Sequence, residues 1–252
     1  VMFMEELNKA IEYLKTKNQI KQELLYNFNT FRALMNITMP YDLSDDYYKW
    51  QDLILLNNLE LKEITEVYDL KFNNQIALFK GDITTIKADV IVNACNEKLL
   101  GCFQPLHNCI DNAIHSHAGL QVRRDLIKVM KEQGNDEQNG KCKVTSGYNL
   151  PSKYIFHTVA PKCFYGVSKQ AAEDLKNCYL SCLQKADEMN LQSIVFCSIA
   201  TGIYKYPIKK ASKVAISTVK EYLKNTNSKL KVVFNLYSLE DYKIYERELN
   251  EN

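Results

Sequence analysis

The sequence predicts a three-layer α/β/α protein in which helices cover both faces of a mostly parallel or mixed β-sheet, with a helical N-terminal extension. Three observations predict this fold class. From about residue 74 onward, short apolar runs alternate with amphipathic helical stretches. Several of these runs are almost wholly apolar and rich in β-branched residues, as expected for strands that are buried on both faces. Residues 1–73 contain no glycine and carry apolar residues at helical spacing.

The N-terminal extension is predicted to hold three helices. Apolar residues recur at helical spacing over residues 3–14, 24–35 and 47–66. Pro40 and the acidic stretch after it separate the second helix from the third, and Ser44 is a candidate N-cap. No linker rich in Pro, Gly or Ser follows. We therefore divide the chain into an extension, residues 1–73, that packs on a sheet domain, residues 74–252.

Six strands and four helices are predicted in the sheet domain. The strand candidates are residues 76–79, 90–92, 144–148, 155–159, 194–197 and 232–236. The helix candidates are residues 109–132, 169–189, 207–224 and 240–249. Ser168 and Ser238 are candidate N-caps, and Pro207 is a candidate first helical residue.

Composition and charge exclude several classes of function. The 252 residues carry a formal net charge of +2, which gives no electrostatic case for nucleic acid or an anionic membrane surface. No apolar run approaches the roughly 18 residues of a membrane helix, and scattered charges interrupt the N-terminal segment where a signal peptide would be apolar. The eight cysteines then indicate free thiols or metal ligands in a reducing cytoplasm. We expect a cytoplasmic location.

Ligands of open α/β sheets bind beyond the carboxyl ends of the strands. Residues 93–96 follow one predicted strand, and residues 197–204, with small side chains and Gly202, follow another. Backbone N–H groups of the second segment are suited to a phosphate, although strand-to-helix turns of this kind are common without a ligand. Asp82 follows the first strand, where a carboxylate either caps the local turn or accepts a hydrogen bond from an exocyclic amine such as that of adenine.

A cluster of metal-ligand types lies in the loop that enters the first helix of the sheet domain. Cys102, His107 and Cys109 have the spacing Cys-x4-His-x-Cys. Cysteine and histidine are the usual zinc ligands, and three protein ligands with an open fourth position are typical of a catalytic site. From spacing alone, this interpretation and that of two small buried thiols beside an unrelated histidine are about equally supported. A fourth ligand from His115 or His117 would make the site structural.

Taken together, these segments resemble the macrodomain family of ADP-ribose-binding domains. The matching segments, in order along the chain, are residues 81–84, 88–96, 110–115, 156–161 and 198–204. Residues 99–109 replace the run of glycines that is common in hydrolytic macrodomains, and they resemble the zinc-dependent branch of the family. That branch also has a helical N-terminal extension, which residues 1–73 resemble. The resemblance covers nearly the whole chain and favours the metal interpretation of the cysteine–histidine cluster.

The resemblance implies a macrodomain-type fold and a zinc-dependent hydrolase that removes mono-ADP-ribose from protein side chains, with carboxylate-linked substrates. The implied partner is a small lipoyl-carrier protein modified by a sirtuin-type transferase. The alternative is a reader module that binds ADP-ribose without cleaving it and uses zinc only as a structural clamp.

The resemblance also implies roles for individual residues. Asp82 would bind the adenine amine with the Ile83 backbone beside it, and Tyr237 would stack on adenine. Asn93 and Asn96 would line the distal ribose, and Zn²⁺ would be held by Cys102, His107 and Cys109. The diphosphate would lie on the backbone of residues 198–204, with contacts from Ser198, Thr201, Gly202, Ile203 and Tyr204.

Asp111 is the candidate base or water-orienting group, and Asn96 is counted with it as catalytic. A structural role for Asp111, as an acidic residue stabilised by the helix dipole, is about equally supported. The sequence departs from the usual family pattern at Cys95, where alanine is more usual, and at Lys205, where glycine is usual.

Overall fold

Residues 3–251 are described by a computed structural model of the chain. The helices are α1 (Met4–Lys17), α2 (Phe28–Ile37), α3 (Asp45–Glu60), α4 (Ile110–Ala118), α5 (Leu120–Gln133), α6 (Lys169–Glu188), α7 (Ile208–Thr226) and α8 (Leu239–Glu251). The strands are β1 (Thr65–Glu66), β2 (Ile76–Lys80), β3 (Ile86–Lys87), β4 (Val90–Cys95), β5 (Lys143–Ser146), β6 (Tyr154–Val159), β7 (Ser193–Phe196) and β8 (Lys231–Leu236).

The predicted α/β fold class is confirmed. Six strands form one sheet in the order β2-β8-β7-β4-β6-β5, in which β5 pairs antiparallel with β6 and the other pairs are parallel. The chain moves in the same direction along the sheet from β6 to β7 and from β7 to β8, so right-handed crossovers place α6 and α7 on one face. From β4 it moves in the opposite direction to the antiparallel edge strand β5, and on the way α4 packs against β4 and α5 against β5.

The three helices of the extension pack on one another around their own apolar cluster. Leu120, at the start of α5, is the sheet-domain residue that completes this cluster. Ser44 caps α3 as predicted, accepting a hydrogen bond from the Tyr47 N–H. The predicted third helix is too long, because it ends at Glu60 and residues 65–66 instead form β1, which pairs with β3. The division between residues 73 and 74 stays a prediction.

A single predicted helix over residues 109–132 is wrong. The chain turns at Gly119, which has φ +112° and separates α4 from α5. A side chain at this position would lie 2.5 Å from the Gln51 amide of α3. The positive φ angle requires glycine here, and the nearby Gln51 amide leaves little room for a side chain, neither of which a periodicity of apolar residues can reveal.

Other boundaries differ by a few residues. The predicted strand over residues 144–148 ends at Ser146, and Pro207 is the residue before α7 instead of its first residue. Ser168 caps α6 as predicted. Within residues 3–251, none of the helices combines the length and the apolar character that a membrane span requires. The cytoplasmic location stays a prediction.

Candidate active site and metal centre

Residues 99–109, here called the ligand loop, connect the end of β4 to α4 through several tight turns. Leu99, Gly101 and Leu106 all have positive φ angles, of 63°, 90° and 58°. Further along, the His107 N–H donates to the Gln104 carbonyl at 3.2 Å and the Cys109 N–H donates to the His107 carbonyl at 3.0 Å. These turns bring ligand atoms of the three predicted metal residues, Cys102, His107 and Cys109, within 4.8 Å of one another.

The donor set of the ligand loop fits zinc. Two thiols and one imidazole are the soft and borderline ligands that Zn²⁺ prefers. The Nδ1 atom of His107 is buried without a hydrogen-bond partner. Burial, reinforced by the neighbouring Cys102 thiol, raises the pKa of Cys109 to about 12. A bound cation would stabilise the thiolate form and offset this desolvation.

Neither histidine of α4 joins this group. Among residues 3–251, the group of metal-ligand atoms consists of Cys102, His107 and Cys109. His117 stacks on Phe28 of α2, with ring centroids 6.1 Å apart, and His115 lies beside Asp111. The arrangement therefore supports three protein ligands over four, which is the pattern with an open coordination position.

Cys109 has a second role as the N-cap of α4. Its Sγ atom accepts a hydrogen bond of 3.4 Å from the Asn112 N–H. The positive end of the α4 dipole therefore points at this sulfur, which favours a thiolate at the same place where a metal would bind.

Asp111 lies in the first turn of α4 and is 6% exposed. Its Oδ1 atom accepts a 2.8 Å hydrogen bond from Nδ2 of Asn93. Burial raises the pKa of Asp111 to about 6, although the Asn93 bond and the Arg123 charge act in the opposite direction. The Nε2 atom of His115 comes within 3.4 Å of Oδ1, but burial lowers the pKa of His115 so far that this is a contact with a neutral ring. A carboxyl group of this kind is poised to exchange a proton near neutral pH.

Asn93 and Asn96, near the end of β4, differ in their burial and in their hydrogen-bond partners. Asn93 is fully buried; besides Asp111, its Nδ2 atom contacts Nδ1 of His157 at 3.3 Å. Asn96 is half-buried just beyond the strand, and its side chain accepts a 3.0 Å hydrogen bond from the Lys98 N–H. The observed contacts of Asn93 are those of a residue that holds Asp111 in place, while its predicted contact with the distal ribose stays a prediction.

The predicted diphosphate loop lies between β7 and α7. The Thr201 hydroxyl donates to the Ser198 carbonyl at 3.0 Å, and Gly202 and Ile203 are exposed at the tip. Lys205 has φ +65°, a left-handed conformation that explains why glycine is usual at this position. The Tyr204 carbonyl accepts a 2.7 Å hydrogen bond from the Cys163 N–H, which ties this loop to the segment after β6.

The residues that are predicted to bind adenine also lie at the carboxyl edge of the sheet, after the neighbouring strands β2 and β8. Asp82 follows β2 and accepts hydrogen bonds from both the N–H and the hydroxyl of Thr84, at 2.9 and 2.7 Å. Both bonds end on Oδ1, so the turn-capping role is present and does not engage the second oxygen. The Ile83 side chain is buried, whereas Tyr237 follows β8 and is 82% exposed. Because β2 and β8 are paired, the exposed ring and the carboxylate follow neighbouring strands, which fits the predicted adenine pocket.

Sequence reasoning missed the polar residues that join α2 and α5 to the ligand loop. Arginines on helices are mostly exposed to solvent, yet Arg123 is 1% exposed. Arg32 of α2 donates to Asn112 and Ser116 of α4, in both cases at 3.0 Å. Asn36, at the end of α2, is also buried. Their positions within apolar helical segments were a usable signal, because charged and amide groups on an apolar face need buried partners.

These features together are those of a macro domain. The family profile described as "Macro domain" matches residues 92–215, which include most of β4, the ligand loop and the loop before α7. A Staphylococcus aureus (strain MRSA252) protein named protein-ADP-ribose hydrolase is 46% identical over 223 residues, covering 87% of this chain and 84% of that protein. A Treponema medium protein of the same name is 39% identical over 248 residues, covering 94% and 95%. The chain belongs to the macro domain family.

Solved structures agree with this assignment. A variant of the Oceanobacillus iheyensis macrodomain with ADPR is 35% identical, with a TM-score of 0.65, and the match covers 70% of this chain and 92% of that one. The Trypanosoma brucei macrodomain in complex with ADP-ribose is 28% identical, with a TM-score of 0.66, and the match covers 86% of this chain and 94% of that one.

Proposed function

We propose that this chain is a zinc-dependent protein-ADP-ribose hydrolase that removes mono-ADP-ribose from modified side chains. The observation that carries the proposal is the junction of the ligand loop with α4. There, three zinc-ligand side chains converge two residues from Asp111, a buried carboxyl group with a pKa of about 6. Relatives named protein-ADP-ribose hydrolase support the activity.

The reaction adds water across the bond between the distal ribose and the acceptor. ADP-ribose leaves with one hydroxyl group from water, and the acceptor side chain receives the remaining proton. When bound by three protein ligands, zinc supplies a Lewis acid at its open position. Asp111 accepts a proton from the attacking water and Asn93 keeps the carboxylate oriented.

The remaining site residues bind and orient the nucleotide. In this proposal, Asp82 and the Ile83 backbone take the adenine amine and Tyr237 covers the ring. The backbone of residues 198–204 holds the diphosphate, with Ser198, Thr201, Gly202, Ile203 and Tyr204 around it. Asn96 borders the distal ribose where β4 ends. Each assignment is consistent with the place of these residues at the carboxyl edge of the sheet, where ligands of such sheets bind.

We further propose a carboxylate-linked substrate, such as a lipoyl-carrier protein modified by a sirtuin-type transferase, in the cytoplasm. An ester is the linkage that a carboxylate acceptor forms, and a zinc ion held by the ligand loop would polarise its carbonyl oxygen. The net charge of +2 gives no electrostatic reason to expect a nucleic acid or membrane partner.

A reader that binds ADP-ribose without cleaving it is the alternative. Binding alone requires neither a three-ligand metal set nor a buried carboxyl group beside it. The observation that disfavours a purely structural zinc is that His115 and His117 lie outside the ligand group.

The test is release of ADP-ribose from a carrier protein that is mono-ADP-ribosylated on a carboxylate. Metal content is measured first, and release is followed with the purified protein, after chelation, and after Zn²⁺ is restored. The proposal expects about one zinc per chain, release that stops on chelation, and recovery with zinc. A protein that binds ADP-ribose with zinc present and releases nothing from ester, amide or N-glycosidic substrates would be a reader.

A further inference from the structure

The ligand loop lies against the C-terminal end of α2, which belongs to the helical extension. Asn36 is 2% exposed there. Its Oδ1 atom accepts a 2.9 Å hydrogen bond from the N–H of Leu106, the residue immediately before the ligand His107. A side chain of the extension therefore binds the backbone of the metal-ligand loop directly.

The hydrogen bond falls where the loop backbone is strained. Leu106 has φ +58°, a left-handed conformation that a leucine rarely adopts. Such a conformation persists only when surrounding contacts hold it in place. Because Leu106 determines where His107 points, the contact that holds Leu106 also sets the position of the imidazole relative to the two thiols.

The orientation of the Asn36 amide is itself fixed. Its Nδ2 atom donates a 2.9 Å hydrogen bond to the Ser116 hydroxyl of α4. The same hydroxyl accepts a bond from Arg32 and donates to Asn112, both at 3.0 Å. With Nδ2 engaged on Ser116, Oδ1 is left facing the Leu106 N–H.

Arg123 of α5 anchors the other end of the ligand loop to the same part of α2. Its Nε atom donates to the Leu100 carbonyl at 2.7 Å. Its Nη1 atom donates to the carbonyls of Met35, Asn36 and Thr38 at 3.2, 3.0 and 2.8 Å. The guanidinium also lies 3.8 Å from the ring centroid of Phe103 within the loop. The carbonyls are those of a helix C-terminus, whose dipole stabilises a buried cation.

We propose that the helical extension forms part of the metal centre. Through Asn36, and with Arg123 as the second anchor, it holds the ligand loop in the conformation that brings Cys102, His107 and Cys109 together. Asn36 is a positioning residue, because it acts on the zinc ligands through Leu106. This inference rests on the proposed zinc site and assigns a role to the extension.

The test compares zinc affinity in variants of the full-length chain. Asn36→Leu keeps the size of the side chain and removes the acceptor, whereas Asn36→Asp keeps an acceptor for the Leu106 N–H. Asn8→Leu is the matched control, since Asn8 lies in α1 of the extension and its Oδ1 atom is buried without a hydrogen-bond partner among the described residues. Affinity is measured by competition with a chromophoric zinc chelator. Cobalt absorption reports the ligand geometry, and thermal unfolding of the metal-free protein reports stability.

Asn36→Leu is expected to weaken zinc binding on the order of tenfold, the effect of losing one buried hydrogen bond, and to change the cobalt spectrum. Asn36→Asp keeps the acceptor but loses the bond to Ser116, so its affinity should fall between those of Asn36→Leu and the unsubstituted protein. Asn8→Leu should keep an affinity close to that of the unsubstituted protein. An unchanged affinity in Asn36→Leu, or an equal loss in Asn8→Leu, would overturn the positioning role. If the unsubstituted protein binds no zinc, the proposed metal dependence has itself failed, and the positioning role fails with it.

Discussion

Asn93 at the end of β4 and Asp111 in the first turn of α4 are joined by a 2.8 Å hydrogen bond from Nδ2 to Oδ1. The two residues are 18 positions apart in the chain, with the whole ligand loop between them. Their bond fixes the start of α4 against the sheet. Since Cys109 caps the same helix, the carboxyl group and one zinc ligand are placed by a single element.

Replacing Asp111 by asparagine should reduce release of ADP-ribose by about 10²- to 10³-fold, because an amide cannot accept the proton. Zinc content should not change. Single-turnover release and metal analysis check this. Asp46→Asn is the control, since Asp46 occupies the equivalent position in the first turn of α3 and is exposed. Full activity in Asp111→Asn would show that its role is structural.

Cys109→Ser and Cys109→Ala should both lose zinc but differ in stability. A serine at the N-cap still accepts the Asn112 N–H, whereas alanine leaves it unpaired, at a cost of about 1 kcal/mol. Urea unfolding of the metal-free variants and their zinc content check both parts. Equal stability of the two variants would argue against the cap, and stoichiometric zinc in either would remove Cys109 from the ligand set.

Lys205→Gly should stabilise the protein by about 0.5–1 kcal/mol, because a left-handed backbone conformation is strained for lysine and free for glycine. Lys213→Gly is the control, since Lys213 is exposed within α7, where glycine is expected to cost about 1 kcal/mol. Thermal or urea unfolding measures both. A loss of stability in Lys205→Gly would mean that contacts of the lysine outweigh the strain.

Acid should destabilise the folded state partly through His157. This residue is fully buried, and burial lowers its pKa to about 3, whereas an unfolded histidine titrates near 6.5. The unfolded chain then binds the extra proton, so stability is lost as pH falls below about 6.5 and continues to fall toward pH 3, by about 1.4 kcal/mol per pH unit for this group. Urea unfolding of metal-free protein at pH 7, 6 and 5 measures the slope.

The variant His157→Asn removes this titration. Its free energy of unfolding is expected to be lower at pH 7, because His157 also contacts Thr145 at 2.8 Å, but its dependence on pH should be shallower. A slope equal to that of the unsubstituted chain would mean that other groups account for the acid sensitivity.

The sequence predicted the strands of the sheet domain well because each strand is a short, nearly continuous run of apolar residues. The runs around Val90 and Ile194 became neighbouring central strands, β4 and β7. The spacing of Cys102, His107 and Cys109 also identified a group that the structure brings together. In both cases the signal is local, since the relevant residues lie within one strand or one loop.

The prediction of a single helix over residues 109–132 was wrong at a point where a residue from a distant part of the chain packs against it. The chain breaks at Gly119, whose φ of +112° strains any other residue, and the side-chain ends of Gln51 in α3 and Gln121 in α5 both lie 2.5 Å from where a Cβ atom would stand. No periodicity within residues 109–132 carries that information.

By itself, the sequence determined the α/β fold class, and it predicted a site at the carboxyl edge of the sheet with three candidate zinc ligands. The tertiary structure alone decided that Arg123 is buried, that Asn93 holds Asp111, and that Asn36 holds Leu106 from 70 positions away. The physical reason is that a buried polar group must find its partner wherever the packed chain places one. The local sequence pattern shows which residues are apolar. The hydrogen-bond partner of a buried amide or guanidinium group is decided only when helices and strands from distant parts of the chain pack together.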